Sequence, residues 1–134
     1  MNTQLHKPQL LVVDDHPVFR RFIMSWLSST YEVVALRDGF EALKWLQAGN
    51  LPDLVVLDIE MPRLDGYQFL RNIRYSGIFY DLPVIALTSH TQNEVEAKCA
   101  DYRLSAIFSK PFKPEILKAS IDSAVEQKAL SQVA

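Results

Sequence analysis

The sequence has few of the features that mark secreted, membrane-spanning or thiolate-zinc proteins. Its 134 residues include a single cysteine, Cys99, which excludes an intramolecular disulfide framework and a zinc cluster of thiolates. No apolar run approaches the roughly 20 residues of a bilayer-crossing helix, and no signal-peptide pattern opens the chain. Like charges do not cluster and the formal net charge is −2, which argues against a nucleic-acid surface. We expect a cytoplasmic protein that binds neither nucleic acid nor membrane directly.

The composition is that of one folded domain. Apolar residues make up 49% of the chain and charged residues 22%, which is typical of a globular protein and not of a disordered one. A chain of this length fits a single domain. We expect an N-terminal extension at residues 1–8, the domain at residues 9–126 and a C-terminal tail at residues 127–134.

Short apolar patterns typical of strands alternate with amphipathic patterns typical of helices. Residues 10–13 form a continuous apolar run, as in a strand buried on both faces, and residues 17–29 carry apolar residues at helical spacing. The alternation continues with strands at 31–36, 53–57, 83–87 and 106–109, and helices at 40–48, 67–75, 92–102 and 114–130. These units predict an α/β fold, a flavodoxin-like (βα)5 doubly wound parallel sheet with strand order 2-1-3-4-5.

Chemically reactive residues stand where the predicted strands end. They are Asp14 and Asp15 after the first strand, Asp58 after the third, Thr88 after the fourth and Lys110 after the fifth. In such sheets ligands bind outside the carboxyl ends of the strands. Three carboxylates gathered there would repel one another, and Mg²⁺ together with Lys110 supplies the counter-charge. An anion that also contacts the metal, such as a phosphoryl group, completes the charge balance. Because a carboxylate is a competent nucleophile, we expect Asp58, which is central in the strand order, to accept a phosphoryl group.

Four motifs in register resemble a known family. VVDDH (12–16), LDIEMPRLDG (57–66), ALTSH (86–90) and SKPF (109–112) together resemble the receiver domain of two-component response regulators. The stretches LDIEMPRLDG, ALTS and LSAIFSKPF are most similar to receivers fused to chemotaxis-type hybrid histidine kinases. The resemblance implies a signalling module that takes a phosphoryl group from a histidine kinase or histidine phosphotransfer domain. It implies no enzymatic activity beyond the module's own phosphorylation and dephosphorylation.

The resemblance also implies roles for the metal ligands and the acceptor. Asp58 would be phosphorylated, and Asp15 would bind Mg²⁺ directly together with Asp58. Asp14 would act through water, and the backbone carbonyl of Glu60 would complete the ligands that the protein supplies. No other cofactor is implied.

The remaining implied roles concern phosphoryl binding and output. Lys110 would hold the phosphoryl group, positioned by a cis bond to Pro111, and Thr88 would move toward that group on activation. Gly66 would serve the turn after the acceptor loop. A downstream protein would bind the surface of the fourth helix, the fifth strand and the last helix, and a weak homodimer stays open.

Some positions modulate or depart from the family pattern. Glu60 and His90 lie two positions beyond Asp58 and Thr88, where the family tunes hydrolysis of the aspartyl phosphate. Ile107 stands where active receivers usually have an aromatic residue that switches with the threonine. Arg103 replaces the glycine that normally ends the fourth helix, so that helix needs another cap.

Two other functions compete with a phosphorylated receiver. The first is a pseudo-receiver that binds proteins without phosphate, which Ile107 keeps open. The second is a Mg²⁺-dependent phosphatase with an Asp nucleophile, similar to haloacid-dehalogenase-like hydrolases. Those enzymes carry an Asp general acid two residues after the nucleophile, where this chain has Glu60.

Overall fold

The computed structural model describes residues 7–132, so most of the N-terminal extension and the last two residues of the tail lie outside the described residues. The strands are β1 (Gln9–Val13), β2 (Glu32–Leu36), β3 (Leu54–Asp58), β4 (Val84–Thr88) and β5 (Ala106–Ser109). The helices are α1 (Pro17–Leu27), α2 (Gly39–Gln47), α3 (Gly66–Arg74), α4 (Gln92–Lys98) and α5 (Pro114–Ser131). No helix of residues 7–132 is long and apolar enough to cross a membrane.

The strands form one parallel sheet in the order β2-β1-β3-β4-β5, which confirms the predicted fold class. The chain goes from β1 outward to β2 and then returns across β1 to β3, so the strand order reverses between β1 and β3. A crevice at the carboxyl ends of the strands forms at such a reversal. Asp58, the last residue of β3, therefore lies beside the end of β1.

Alternate side chains of the central strands pack on opposite faces of the sheet, against two helical layers. On one face the strand residues Leu11, Val55 and Ala86 pack with α2, α3 and α4. On the other face Val56 and Leu87 pack with α1 and α5. Because β1, β3 and β4 are covered on both sides, their apolar runs show no polar alternation.

The fourth helix is shorter than the apolar pattern predicts. It ends at Lys98 and not at Tyr102, and Cys99 is its C-cap. Residues 99–102 continue as a tight turn, in which the amide of Tyr102 donates to the carbonyl of Cys99 at 2.8 Å. Arg103 takes the left-handed conformation (φ 53°) in which a glycine is usual. The missing glycine is thus replaced by an arginine in the same backbone conformation.

Gly66 is required by a close approach of α3 to the loop after β3. Its amide donates to the carbonyl of Ile59 at 2.9 Å. A Cβ at this position would lie 2.6 Å from the Cα of Ile59 and 3.1 Å from the carbonyl oxygen of Asp58. Any side chain would therefore push α3 away from the segment that carries Asp58.

Gly66→Ala should lower the free energy of unfolding by about 1–3 kcal/mol, because a buried backbone cannot accommodate the extra methyl group without shifting. Urea unfolding measures this change. Gly77→Ala is the matched control, since a Cβ at Gly77 meets nothing within 4 Å and should change stability by less than about 0.5 kcal/mol. Equal stability of both variants would contradict the close approach of α3.

Candidate functional site

The residues singled out from the sequence lie together at the carboxyl end of the sheet. Asp14 follows β1, Asp58 and Thr88 are the last residues of β3 and β4, and Lys110 follows β5. Asp58 pairs across the sheet with Leu87, the residue before Thr88. The amide of Lys110 donates to the carbonyl of Thr88 at 2.7 Å, which fixes the start of the loop after β5.

Three carboxylates form the centre of the site. Asp14 and Asp58 are each only 1% exposed, whereas Asp15 is half-buried. Among the described residues, the buried side-chain oxygens without a hydrogen-bond partner are one from each of these carboxylates: Asp14 Oδ2, Asp15 Oδ1 and Asp58 Oδ2. Buried polar atoms are normally hydrogen-bonded. Oxygens left unpaired at one place fit a hard cation such as Mg²⁺, whose preferred ligands are carboxylate oxygens.

Lys110 brings a positive charge to this cluster. Its Nζ lies 3.5 Å from Asp58 Oδ1 and 3.8 Å from Asp14 Oδ2. The Lys110–Pro111 peptide bond is cis, as the resemblance implies. The Lys110 side chain is 28% exposed, so these ion pairs are partly shielded from water. One ammonium group does not neutralise three carboxylates, and the cluster has an excess of negative charge.

The environment of Asp58 favours its protonated form. Burial and the neighbouring Asp14 carboxylate raise the pKa of Asp58 from 3.8 to about 7. The ammonium group of Lys110 and the amide of Glu60, which donates to Asp58 Oδ1 at 3.2 Å, oppose this rise in pKa. Perturbed carboxylates of this kind cluster at functional sites.

The side chain of Glu60 turns toward the end of β4. Its carboxylate accepts hydrogen bonds from the hydroxyl of Thr88 at 2.7 Å, and from the amide (2.7 Å) and the hydroxyl (3.0 Å) of Ser89. Burial alone would raise the pKa of Glu60, but these bonds outweigh it and lower the pKa below its ordinary value. The sequence analysis predicted that Glu60 modulates the site, but it did not predict this contact. The only sequence signal for the contact was the acidic residue two positions after Asp58.

His90 and Ile107 surround this contact. The amide of His90 donates to the hydroxyl oxygen of Thr88 at 2.9 Å, and its ring Nε2 lies 4.0 Å from a Glu60 oxygen. Ile107 is partly buried on the α3–α4 side of the sheet, whereas Phe108 packs on the opposite side. The side chain of Ile107 is therefore aliphatic on the α3–α4 side, and Phe108 faces away from it.

His16 is a further member of the site that the sequence did not single out. Its amide donates to Asp14 Oδ1 at 2.8 Å, and its ring Nδ1 lies 3.0 Å from that oxygen and 3.2 Å from Asp15 Oδ1. One ligand atom each of Asp14, Asp15, His16 and Asp58 lies within 4.8 Å of the others. The only sequence signal was that His16 directly follows the acidic pair.

Comparison with known proteins gives the family. The family model for the response regulator receiver domain matches residues 10–122. Sensor histidine kinase RcsC of Escherichia coli (strain K12) is 34% identical over 119 residues, which cover 88% of this chain but 12% of that kinase. The chain therefore spans only a small part of the length of this relative.

Solved structures agree with this assignment. The receiver domain of sensor histidine kinase PA1611 from Pseudomonas aeruginosa PAO1, with a magnesium ion coordinated in its active-site cleft, is 28% identical (TM-score 0.79, 90% of this chain, 98% of that chain). The BeF3-activated receiver domain of DrrB is 27% identical (TM-score 0.77, 90% of this chain, 98% of that chain). The sheet order, the strand-end carboxylates and these matches show that the chain belongs to the response regulator receiver domains of two-component signal transduction systems.

Proposed function

We propose that this receiver domain accepts a phosphoryl group on Asp58 from a histidine kinase or a histidine phosphotransfer domain, with Mg²⁺ bound at the same site. The observation that carries the proposal is the group of unpaired, buried oxygens of Asp14, Asp15 and Asp58 beside Lys110. Such an arrangement is costly in a metal-free protein, because one ammonium group compensates only part of the charge of three carboxylates and uncompensated buried charge destabilises the fold. A bound cation offsets this cost.

The three carboxylates have different proposed roles in binding the metal. We expect Asp15 and Asp58 to coordinate Mg²⁺ directly, Asp14 to act through water, and the backbone carbonyl of Glu60 to complete the ligands of the protein. When bound, the cation neutralises the negative charge on the oxygens of the transferred phosphoryl group. The magnesium ion in the active-site cleft of the PA1611 receiver domain supports magnesium as the cation.

Transfer of the phosphoryl group exchanges one bond for another. The bond between phosphorus and the donor nitrogen breaks, its electron pair stays on the imidazole, and an oxygen of Asp58 forms the new bond to phosphorus. Lys110, 3.5 Å from Asp58 Oδ1, is positioned to pair with a phosphoryl oxygen. Thr88 would donate a hydrogen bond to another of these oxygens. Hydrolysis by water reverses the modification, and we expect Glu60 and His90 to tune its rate.

We propose that phosphorylation acts by changing which proteins bind the domain, and not by activating a reaction on a substrate. We propose that a downstream protein binds the surface of α4, β5 and α5, which adjoins Thr88 and Lys110 through the ends of β4 and β5. A weak homodimer is the alternative. Exchange with a kinase would take place in the cytoplasm. Receiver domains as a family are signalling modules and not enzymes that act on other substrates.

Uptake of a phosphoryl group should require Asp58 and Mg²⁺. A small-molecule donor such as acetyl phosphate should add one phosphoryl group to the wild-type protein, detected as a mass increase of the intact chain. Asp58→Asn should abolish this increase because the amide is not a nucleophile, and chelation of the metal should lower the rate at least about tenfold.

Asp101→Asn, at an exposed site away from the carboxylates, is the control and should retain full uptake. Wild-type protein that takes up no phosphoryl group from this donor or from purified kinases would overturn the proposal in favour of a pseudo-receiver. Repeated turnover of a phosphate monoester would instead favour a phosphatase.

Asp58→Asn should also stabilise the metal-free protein, by an amount that depends on pH. The pKa of about 7 in the fold lies above the ordinary 3.8, so the cost of ionising Asp58 is absent below pH 3.8, grows between pH 3.8 and about 7, and is complete above about pH 7. We expect a gain of about 1–3 kcal/mol at pH 8 and a smaller gain at pH 5. Urea unfolding at both pH values measures it, and a loss of stability at pH 8 would contradict the electrostatic cost.

A further inference from the structure

Glu60 connects the segment after β3 to the end of β4, 28 residues further along the chain. One carboxylate oxygen accepts the Thr88 hydroxyl at 2.7 Å, and the other accepts both the amide and the hydroxyl of Ser89. Hydrogen bonds to an ionised carboxylate are about twice as strong as neutral ones. The contact therefore holds the junction between β4 and α4 in one arrangement in the unphosphorylated protein.

The Thr88 hydroxyl has no capacity left for a second acceptor. A hydroxyl carries a single donor proton, and that proton of Thr88 is directed at Glu60. The oxygen of the same hydroxyl already accepts the amide of His90 at 2.9 Å. A phosphoryl group on Asp58 would present new acceptor oxygens beside Thr88. The hydroxyl can donate to one of these oxygens only after it leaves Glu60.

We propose that Glu60 is a positioning residue that competes with the phosphoryl group for the Thr88 hydroxyl and so holds the domain in its unphosphorylated arrangement. The proposal rests on the proposed function, since it assumes that Asp58 becomes phosphorylated. The phosphoryl group also brings negative charge toward the Glu60 carboxylate, which adds repulsion to the competition. Release of Glu60 frees Thr88 and Ser89 together, so the end of β4 and the start of α4 change as one unit.

This competition could take the part that an aromatic side chain at position 107 would play, where this chain has Ile107. Ile107 packs on the α3–α4 side of the sheet and has no ring whose rotation accompanies a movement of Thr88, and Phe108 faces the opposite layer. The Glu60 contact provides two alternatives without an aromatic residue, one with Thr88 on Glu60 and one with Thr88 on the phosphoryl group. Repulsion between the Glu60 carboxylate and the phosphoryl group would weaken phosphoryl binding even without the Thr88 hydroxyl. A double-mutant cycle separates this repulsion from the competition for the hydroxyl.

The cycle compares binding of beryllofluoride, the anion that activated the DrrB receiver, in the presence of Mg²⁺. Glu60→Ala should tighten its apparent Kd about tenfold, as expected for loss of a competing charged hydrogen bond. In the Thr88→Val background the same substitution should tighten binding by less than about threefold. Glu60→Gln, which keeps an acceptor without the charge, should fall between the wild type and Glu60→Ala.

Equal tightening in both backgrounds would assign the effect to charge and overturn the competition for the hydroxyl. An unchanged Kd in Glu60→Ala would overturn the proposal entirely. Glu96→Ala, at an exposed position of α4, is the matched control for loss of a nearby negative charge and should leave the Kd within about twofold of the wild type.

A second measurement needs neither metal nor phosphoryl analogue. The amide of Ser89 donates to Glu60 at 2.7 Å, so its hydrogen exchange in the metal-free protein should be slow and should accelerate about tenfold in Glu60→Ala but not in Glu96→Ala. Unchanged exchange would refute the contact itself. Failure of wild-type protein to bind beryllofluoride, with Ser89 exchange as expected, would instead refute the proposed function and leave the Glu60 contact established.

Discussion

The ammonium group of Lys110 faces the carboxylates of Asp14 and Asp58 at 3.8 and 3.5 Å, and the charge balance at this point is incomplete. Asp15 adds a third carboxylate, and each of the three has a buried oxygen without a hydrogen-bond partner. Burial first, and then the neighbouring Asp14 carboxylate, raise the pKa of Asp58 to about 7, so ionising Asp58 costs free energy. The cation that we propose for this site would offset that cost.

The fold brings the carboxylates together at one edge of the sheet. The ends of β1 and β3 are adjacent because the strand order reverses there, and both strands are covered by helices. Gly66 lets α3 approach the backbone of Asp58 and Ile59 closely. The carboxylate of Glu60 accepts hydrogen bonds from Thr88 and Ser89. The backbone of Asp58 is thus fixed by close packing, while Thr88 and Ser89 are held by hydrogen bonds that can be exchanged.

The sequence was sufficient for the fold and for the gathering of the site, because strand periodicity and the strand-end rule are local or topological. Asp14, Asp58, Thr88 and Lys110 lie together as that rule predicts. The predicted end of α4 was wrong, because the helical spacing of apolar residues continues beyond Lys98. That spacing does not indicate the left-handed backbone conformation of Arg103. The contact of Glu60 with Thr88 was missed, because a side-chain rotamer that links two loops depends on tertiary geometry.

The proposed function depends on a divalent cation that completes the carboxylate cluster. Calorimetric titration of the metal-free protein with Mg²⁺ tests this binding most directly. We expect a single site, with binding weakened at least about tenfold by Asp15→Asn and left unchanged by Asp101→Asn. Absence of binding, or binding of equal strength in Asp15→Asn, would contradict a cation site formed by these carboxylates.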